Sequence, residues 1–367
     1  MSSQFENAHM QIGLGTTVLT HDVASNTPAG IGSYTQALWR ALEKDPDCIV
    51  LPCKLKHYPL QAALNAASGL PFKLPKDFLK KIDLFHATDH YIPKLKKPVI
   101  ATIHDAIHLA HPEWYPARYY SLKKILWKKS ATWADHIITV SEYSKSEIIK
   151  FFEIPENKIT VIPQGVDVSY FEKIDPSLKI EIKNHLHLPE HFYLFIGTLQ
   201  PRKNLERLIL AHEALPLDLQ KTVPLIIVGQ AGWRCGNLIE RLAASKNNTV
   251  RWLGTVSELE KKVLLQTAST LVFPSLCEGF GLPVLEAFAS HLPVITSSRS
   301  SLPEVAGDAA ILINPTDVAA LSEAMQKIIT DEPLRNQLTE KGLARAREFS
   351  WERCAKETKA VYQRVIN

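Results

Sequence analysis

The sequence lacks the features that mark secreted or membrane-spanning chains. It contains no run of about 18 apolar residues, so we expect no transmembrane helix. The first ten residues, MSSQFENAHM, have neither a basic n-region nor an apolar core, so we expect no signal peptide. The 5 cysteines are an odd number without a CxxC pair. This usage favours free thiols in a reducing cytoplasm.

The chain has little net charge, but the charge is unevenly distributed. A net charge of +4 is too small to indicate nucleic-acid binding. Residues 73–129, however, carry 12 Lys and Arg against 5 Asp and Glu. A basic helix with an aromatic residue can bind anionic lipid headgroups, which would give peripheral contact with the inner face of the plasma membrane. A solvated helix face is the other interpretation, and the sequence leaves both open. The lysines concerned are Lys123, Lys124, Lys128 and Lys129.

The length of 367 residues predicts two domains rather than one core. Short apolar runs alternate with stretches of helical periodicity, which predicts an α/β fold with parallel sheets of βαβ type. We expect one lobe over 1–170, a second over 171–350, and a final helix over 351–367. The predicted strands cover 10–14, 49–51, 84–87, 99–103, 136–140 and 159–162, then 193–197, 225–228, 250–253, 270–273, 294–296 and 310–313. The predicted helices include 34–42, 204–215, 257–267, 318–328 and 351–366.

The most informative segment is residues 276–290, LCEGFGLPVLEAFAS, in which Glu278 and Glu286 stand eight residues apart. A glycine loop lies between them, and Pro283 suits the first turn of a helix. A helix N-terminus favours an anion through its free N–H groups and its dipole. One carboxylate precedes this anion site, and the other lies about one turn into the helix. The pattern predicts a ligand with a diphosphate and hydroxyl-rich groups, and a nucleotide sugar fits that description.

Three further segments are candidates for the same site. Arg202 and Lys203 follow the first strand of the second lobe, where a guanidinium and an ammonium could hold a diphosphate. A glycine pair, Gly30 and Gly32, opens the first helix and is expected to close on the phosphate from the first lobe. His104 follows a predicted strand. It is therefore expected at the carboxyl edge of a sheet, where ligands bind in folds of this kind.

Two patterns imitate metal sites. Asp45-Pro46-Asp47 matches the DxD pattern of many sugar transferases, but it lies in a predicted surface turn without a second ligand. His104, His108 and His111 are near one another in sequence, yet no cysteine or carboxylate completes a tetrahedral set. We therefore expect neither a metal nor a cofactor.

Taken together, these motifs resemble the retaining glycosyltransferases of family four, which have the GT-B fold of two Rossmann-like lobes with a cleft between them. The resemblance covers almost the whole chain. Its most specific element is the E-x7-E signature from Glu278 to Glu286. Supporting motifs are PRKN at 201–204, VGQAGW at 228–233, WLGTVSE at 252–258, HD at 104–105 and SEYSKSEI at 141–148. Within the family, IHDAIHLAHPEWYP and GTLQPRKN look most like bacterial GDP-mannose-dependent mannosyltransferases of polysaccharide and O-antigen assembly.

The resemblance also implies roles for individual residues. It implies that Arg202 and Lys203 hold the donor diphosphate, that Glu278 contacts the transferred sugar, and that Glu286 binds the ribose. His104 would contact the sugar from the other lobe, and the final helix would cross back onto that lobe. The remaining donor-binding residues implied are Gly30, Gly32, Gly229, Thr255, Val256, Phe280, Gly281 and Leu282.

One position departs from the family pattern, because Thr198 stands where many members have arginine after the strand. Arg202 would then supply the guanidinium. The activity implied is transfer of a hexose, with retention, from GDP-mannose to a glycan or polyprenyl-linked glycan acceptor. A UDP-glucose or other UDP-sugar donor is the alternative within the family. A nucleotide-sugar 2-epimerase and a non-catalytic binding subunit are the competing functions, and the E-x7-E and PRKN motifs argue against both.

Overall fold

The computed structural model of the chain describes residues 9–20, 30–55, 58–115, 120–244 and 249–367. They form two compact units, each built on a six-stranded parallel sheet with helices. All twelve predicted strands are therefore confirmed, with ends that differ by at most two residues. The five cysteines are free and buried, as their odd number and spacing predicted. Within the described ranges, no helix combines the length and apolar character that crossing a bilayer requires.

The first unit takes its described residues from 1–110, 118–165 and 351–367. Its sheet has the order β2-β1-β3-β4-β5-β6. Residues at the centre of this sheet, such as Leu84 and Ile100, are fully buried, since helices cover both faces of a parallel sheet. The strands are β1 Met10–Gly15, β2 Cys48–Cys53, β3 Leu84–Ala87, β4 Val99–Thr102, β5 His136–Thr139 and β6 Ile159–Val161. The helices are α1 Ile31–Glu43, α2 Tyr58–Ser68, α3 Lys76–Lys81, α4 Ile107–Ala110, α5 Tyr120–Ala131 and α6 Glu142–Phe152.

The second unit takes its described residues from 111–117 and 166–350, and its sheet has the order β12-β11-β10-β7-β8-β9. The strands are β7 Tyr193–Ile196, β8 Leu225–Val228, β9 Val250–Trp252, β10 Thr270–Phe273, β11 Val294–Ser297 and β12 Ile311–Ile313. The helices are α7 Pro176–His185, α8 Leu205–Glu213, α9 Leu217–Thr222, α10 Gly236–Ala244, α11 Glu258–Thr267, α12 Leu282–Ala289, α13 Leu302–Ala306, α14 Val318–Thr330 and α15 Glu332–Ala346.

The division of the chain differs from the sequence-based boundaries in two places. Residues 166–170 and 111–115 were assigned to the first lobe, whereas the structure groups both with the second unit. Residues 111–115 are grouped with the second unit because two of their backbone carbonyls accept hydrogen bonds from it. Trp233 Nε1 donates to Trp114 O at 2.6 Å, and Arg234 donates to Glu113 O. These contacts join distant parts of the sequence, so periodicity along the chain carries no sign of them.

The last helix, α16 Trp351–Ile366, belongs to the first unit, where it packs on α1. Its bounds are those expected from the sequence. Lys359 Nζ lies 2.8 Å from carboxylate oxygens of both Asp45 and Asp47. Burial would lower the pKa of Lys359, but these two carboxylates raise it. The helix is thus held to the first unit by an ion pair as well as by its apolar stripe.

A buried polar network connects α16 to the centre of the first sheet. His86 Nδ1 lies 2.7 Å from Tyr362 OH, and its Nε2 lies 2.8 Å from Thr102 Oγ1. Tyr34 OH approaches the same threonine hydroxyl at 3.0 Å. Burial, with a smaller effect from His104, lowers the pKa of His86 from 6.5 to about 3. The imidazole is therefore neutral at physiological pH, and both of its nitrogens are satisfied.

We predict that this network makes the first unit sensitive to mild acid. A buried imidazole whose pKa is depressed binds fewer protons when folded than when unfolded, so stability is lost as pH falls below about 6.5. His86→Gln should reduce the loss in unfolding free energy between about pH 6 and pH 5 by roughly 1.4 kcal/mol per pH unit. Urea unfolding at the two pH values measures it. His9→Gln, at an exposed position of the same unit, is the control and should leave the slope unchanged. Equal slopes for His86→Gln and the parent chain would contradict the account.

Candidate active site

The candidate site forms where the strand order of the second sheet reverses. β7 pairs with β10, although the chain passes through β8 and β9 between them. Ligands bind outside the carboxyl ends of strands at such a reversal. The loop after β7 carries Arg202 and Lys203, and the loop after β10 carries Glu278. Leu276 N donates to Arg202 O at 2.7 Å, which joins the two loops directly. The topology therefore brings together residues that are 75 positions apart.

Glu278 is paired with both cations of the first loop. Its Oε2 accepts from Arg202 Nη1 at 2.5 Å, and its Oε1 accepts from Lys203 Nζ at 2.7 Å. Arg202 Nη1 also donates to Cys277 O at 3.0 Å, and Lys203 Nζ lies 4.5 Å from the centre of the Phe273 ring. Glu278 and Lys203 are each only 7% exposed. We call these three side chains, Arg202, Lys203 and Glu278, the charged triad.

The two cations of the charged triad keep Glu278 ionised. Burial alone would raise the pKa of this carboxyl, but Arg202 and Lys203 outweigh it and lower the pKa to about 2. Glu278 is therefore an anion at neutral pH and can only accept hydrogen bonds. Two cations against one anion leave a net charge of +1 in a largely buried place. Such a surplus favours an incoming anion, because low dielectric strengthens the attraction.

Asn204, the last residue of the PRKN motif, has a structural role. It adopts the left-handed conformation at φ 62°, so α8 begins at Leu205 rather than at 204 as predicted. Its Nδ2 donates to Pro274 O at 3.1 Å and to Pro315 O at 2.6 Å. Asparagine tolerates this conformation better than most residues. Asn204 therefore fixes the cation-bearing loop against the loops that follow β10 and β12.

The glycine loop after Glu278 leads into α12, as the sequence predicted. Gly281 precedes the helix at φ 127°, and Pro283 lies in its first turn. A side chain at this φ would be strained, and its Cβ would also lie 2.8 Å from Leu302 Cδ2, so the position favours glycine. Ser301 Oγ lies 2.9 Å from Glu278 O and 2.6 Å from Phe280 O. These contacts hold the loop in place, and the N-cap residue of α12, Gly281, has no side chain that could cap the helix.

Glu286, on α12, lies in a second charged group that sequence reasoning missed. Its Oε1 accepts from Lys261 Nζ at 2.7 Å, and Lys261 lies 3.9 Å from Glu258 Oε2. Tyr170 OH donates to Glu258 Oε2 at 3.0 Å. Burial would lower the pKa of Lys261, but the two glutamates raise it. This second group, Glu286, Lys261, Glu258 and Tyr170, has a net charge of −1, which suits hydroxyl donors rather than phosphate. The SELEK run at 257–261 was the available signal, because its glutamates and lysine share one helix.

The loops after β7, β8 and β9 each contain a glycine, and their backbones lie close together at the same edge of the sheet. Gly229 N donates to Gly254 O at 2.8 Å, and Trp252 Nε1 donates to Gly229 O at 2.8 Å. Gly229 has φ 140°, and a Cβ there would lie 2.1 Å from Gly197 O. Thr255, predicted with Val256 to bind the donor, is exposed immediately after Gly254. The edge is therefore kept free of side chains at Gly197 and Gly229.

Both ring nitrogens of His104, in the first unit, lie within hydrogen-bonding distance of other residues of that unit. Its Nε2 donates to Thr88 O at 3.0 Å, and its Nδ1 lies 3.3 Å from Gln164 Nε2. Burial lowers its pKa to about 4, the Thr88 carbonyl opposes that shift, and His90 adds to it. The imidazole is neutral and its predicted contact with the sugar stays a prediction. Gly30 precedes α1 at φ 58°, Gly32 lies buried within that helix, and residues 27–29 of the same loop lie outside the described residues.

The two patterns that imitate metal sites have other contacts. Asp45 and Asp47 both bind Lys359 of α16. The His108 ring lies 4.1 Å from the Trp127 ring, and His111 bonds to Glu113 at 3.0 Å. In the described part of the chain, no group of three His, Cys, Asp or Glu side chains is arranged to hold a metal ion.

Two protein-family models match the chain, one to each half. The model described as glycosyl transferases group 1 matches residues 178–345. The model described as glycosyltransferase family 4 matches residues 25–170. The first match contains the charged triad and the second charged group except Tyr170, and the second match contains His104, Gly30 and Gly32.

Several characterised proteins are similar in sequence. The O-antigen chain mannosyltransferase B of Escherichia coli is 34% identical over 284 residues, which are 76% of this chain and 74% of that protein. The MMP alpha-(1->4)-mannosyltransferase of Mycolicibacterium hassiacum is 29% identical over 75% of this chain and 67% of its own length. The serotype-specific mannosyltransferase WbdA of E. coli is 31% identical over 82% of this chain. The match spans only 38% of WbdA, which is a longer protein.

Solved structures share the fold at low sequence identity. HepE of Anabaena, in complex with UDP and glucose, has a TM-score of 0.73 and 17% identity over 97% of this chain and 100% of that one. WaaG, a glycosyltransferase of lipopolysaccharide biosynthesis, has a TM-score of 0.70 and 16% identity over 95% of this chain and 99% of its own. These likenesses support the two-sheet fold itself.

We predict that Gly229 cannot be replaced by a residue with a side chain without loss of stability. Gly229→Ala should lower the free energy of unfolding by about 2 kcal/mol or more, because the methyl group would overlap Gly197 O. Gly236→Ala is the matched control, since a Cβ there meets nothing within 4 Å. It should leave stability unchanged or raise it by up to about 1 kcal/mol, since Gly236 is the first residue of α10. Denaturant unfolding of the two variants measures both effects. A Gly229→Ala chain as stable as Gly236→Ala would contradict the close approach.

Proposed function

The chain belongs to the glycosyltransferases that the two family models and the mannosyltransferase relatives define, and from that premise we propose its substrates. It is an enzyme that transfers a hexose to a glycan acceptor. We propose that the hexose is mannose and the donor GDP-mannose, with retention of the anomeric configuration. Relatives named as mannosyltransferases at 30–34% identity support the sugar.

The charged triad is the main structural support for the proposed donor site. Its net charge of +1 lies beside the uncapped N-terminus of α12, so side chains and helix dipole favour the same anion. A nucleoside diphosphate is such an anion. When it binds, the oxygens of the phosphates compete with Glu278 for Arg202 and Lys203. The two cations are then shared between the carboxylate and the leaving group.

The proposed chemistry follows from where charge develops. Breaking the bond between the anomeric carbon and the diphosphate builds negative charge on the leaving group and positive charge on the sugar, as in glycoside hydrolysis. Arg202 and Lys203 stabilise the first, and the Glu278 carboxylate stabilises the second. Since the pKa of Glu278 is about 2, this residue does not act as a general acid at neutral pH. The departing phosphate oxygen would accept the proton of the acceptor hydroxyl.

The second charged group supports a different contact with the donor. Its surplus carboxylate charge is suited to accept hydrogen bonds from hydroxyl groups. Glu286 lies one turn into α12, and the proposed phosphate-binding site lies at the N-terminus of this helix. We propose that Glu286, held by Lys261, binds the ribose hydroxyls of the nucleotide. Gly229, Thr255 and Val256 would lie near the base.

The acceptor and the membrane contact are proposed for the first unit. We propose a glycan or polyprenyl-linked glycan as acceptor, with a peripheral membrane contact made by the first unit. The basic helix α5 supports this contact in part. Lys124 and Lys129 are exposed, whereas Lys128 is paired with Glu153 at 2.5 Å. The side chain of Lys123 is outside the described residues.

The donor preference is tested by nucleotide release. The chain is mixed with GDP-mannose or UDP-glucose and a lipid-linked glycan extract, and GDP and UDP are measured. We expect GDP release to exceed UDP release by at least about tenfold, since a site that hydrogen-bonds one base leaves polar groups unpaired with the other. Greater release of UDP would establish the UDP-sugar alternative and exclude the GDP-mannose proposal.

Replacing Glu278 should separate donor binding from transfer. Glu278→Gln removes the anion that competes with phosphate, so GDP should bind at least as tightly as to the parent chain. Transfer should fall roughly 10²–10³-fold, because the positive charge on the sugar loses its stabilising carboxylate. Calorimetry measures the binding, and nucleotide release measures the rate. Glu340→Gln, at an exposed position of α15, is the charge-matched control and should match the parent in both. Unchanged transfer by Glu278→Gln would refute the assigned role.

A further inference from the structure

A second basic site lies in the first unit, at the edge of the sheet opposite the carboxyl ends of the strands. There a cavity of about 940 Å³ opens among residues that precede strands. Residues 94–98 lead into β4, and residues 132–135 lead into β5. The end of α2 and the end of α5 supply the remaining walls together with Val365 of α16. His104, by contrast, follows the carboxyl end of β4. The cavity is therefore separate from the proposed site of transfer.

The charge lining this cavity is strongly positive. Four lysines, Lys94, Lys96, Lys97 and Lys129, line it against one carboxylate, Asp135. That carboxylate is already engaged, because its Oδ2 accepts from Val99 N at 2.8 Å. The lining thus has a net charge of +3.

A structural role explains one of the lysines but leaves the other three. Lysines near helix C-termini commonly bind the last carbonyl groups, and α2 and α5 both end at this cavity. Lys94 behaves in this way, donating to Gly69 O at 2.7 Å. Within the described ranges, the ammonium groups of Lys96, Lys97 and Lys129 make neither an ion pair within 4.0 Å nor a side-chain hydrogen bond, whereas the Lys129 backbone carbonyl accepts from Thr132 Oγ1 at 2.7 Å. Three ammonium groups without a carboxylate partner give this cavity a positive potential, which attracts an anion.

From these observations we propose that the cavity binds a phosphate group, in a site distinct from that of the donor. Phosphate presents several oxygens at one centre and carries more charge than a carboxylate, so it can accept from more than one lysine. The group belongs either to a small soluble polyanion or to the headgroup of an anionic phospholipid. Leu64 and Leu70, which flank the α2 wall in sequence, are mostly exposed, and they make the second source worth testing.

The test compares two triple variants with the same change in charge. The first removes the three unneutralised lysines of the cavity, as Lys96→Gln, Lys97→Gln and Lys129→Gln. The control removes three exposed lysines of the same unit that do not line the cavity, as Lys54→Gln, Lys76→Gln and Lys81→Gln. Thermal unfolding and GDP binding should be alike in both, since neither set touches the fold or the proposed donor site.

Two probes distinguish the sources of phosphate. Inorganic pyrophosphate is titrated by calorimetry. Vesicles of equal parts phosphatidylcholine and phosphatidylglycerol are tested by co-sedimentation beside pure phosphatidylcholine. At low salt we expect the cavity variant to bind at least one of the probes more than about tenfold more weakly than the control. A loss confined to pyrophosphate identifies a soluble ligand, and a loss with anionic vesicles identifies a lipid headgroup. Equal binding by the two variants, or no binding of either probe by the parent chain, would overturn the proposal.

Discussion

The pairing of one buried carboxylate with two cations is the interaction on which the rest of the site depends. Glu278 neutralises only half of the charge of Arg202 and Lys203. Removing the carboxylate would take an ion-pair partner from each of two largely buried cations, a change that costs about 3–5 kcal/mol in comparable settings. An anionic substrate reduces the same cost. The pairing therefore stabilises the two loops, and we propose that its surplus positive charge binds the donor diphosphate.

The fold makes this pairing possible through the order of its strands. Because β7 and β10 are neighbours, the loops that follow them meet at one edge of the sheet. Asn204 and Ser301 then fix those loops through backbone carbonyls. One turn further along α12, Glu286 lies in a group whose surplus charge is negative. A single loop and helix thus carry a positive and then a negative surplus charge, and we propose that these bind the diphosphate and the ribose of a nucleotide sugar in that order.

The sequence predicted the elements better than their contacts. Apolar runs predicted all twelve strands, and the E-x7-E spacing with Pro283 predicted the start of α12, because these signals are local. The ion pairs between Glu278 and the PRKN loop, and between Lys261 and Glu286, depend on strand order and were not predictable from spacing. The grouping of residues 111–115 with the second unit depends on contacts with Trp233 and Arg234. His104 was correctly placed after β4, but its two ring partners come from other parts of the chain.

We propose that Arg202 and Lys203 exchange part of their pairing with Glu278 for the donor diphosphate. A crystal structure of the chain with bound GDP would show this exchange. We expect phosphate oxygens within about 3 Å of Lys203 Nζ and of the Arg202 guanidinium, and a longer distance from at least one of these cations to Glu278. Phosphates bound elsewhere, with both ion pairs of Glu278 unchanged, would contradict it.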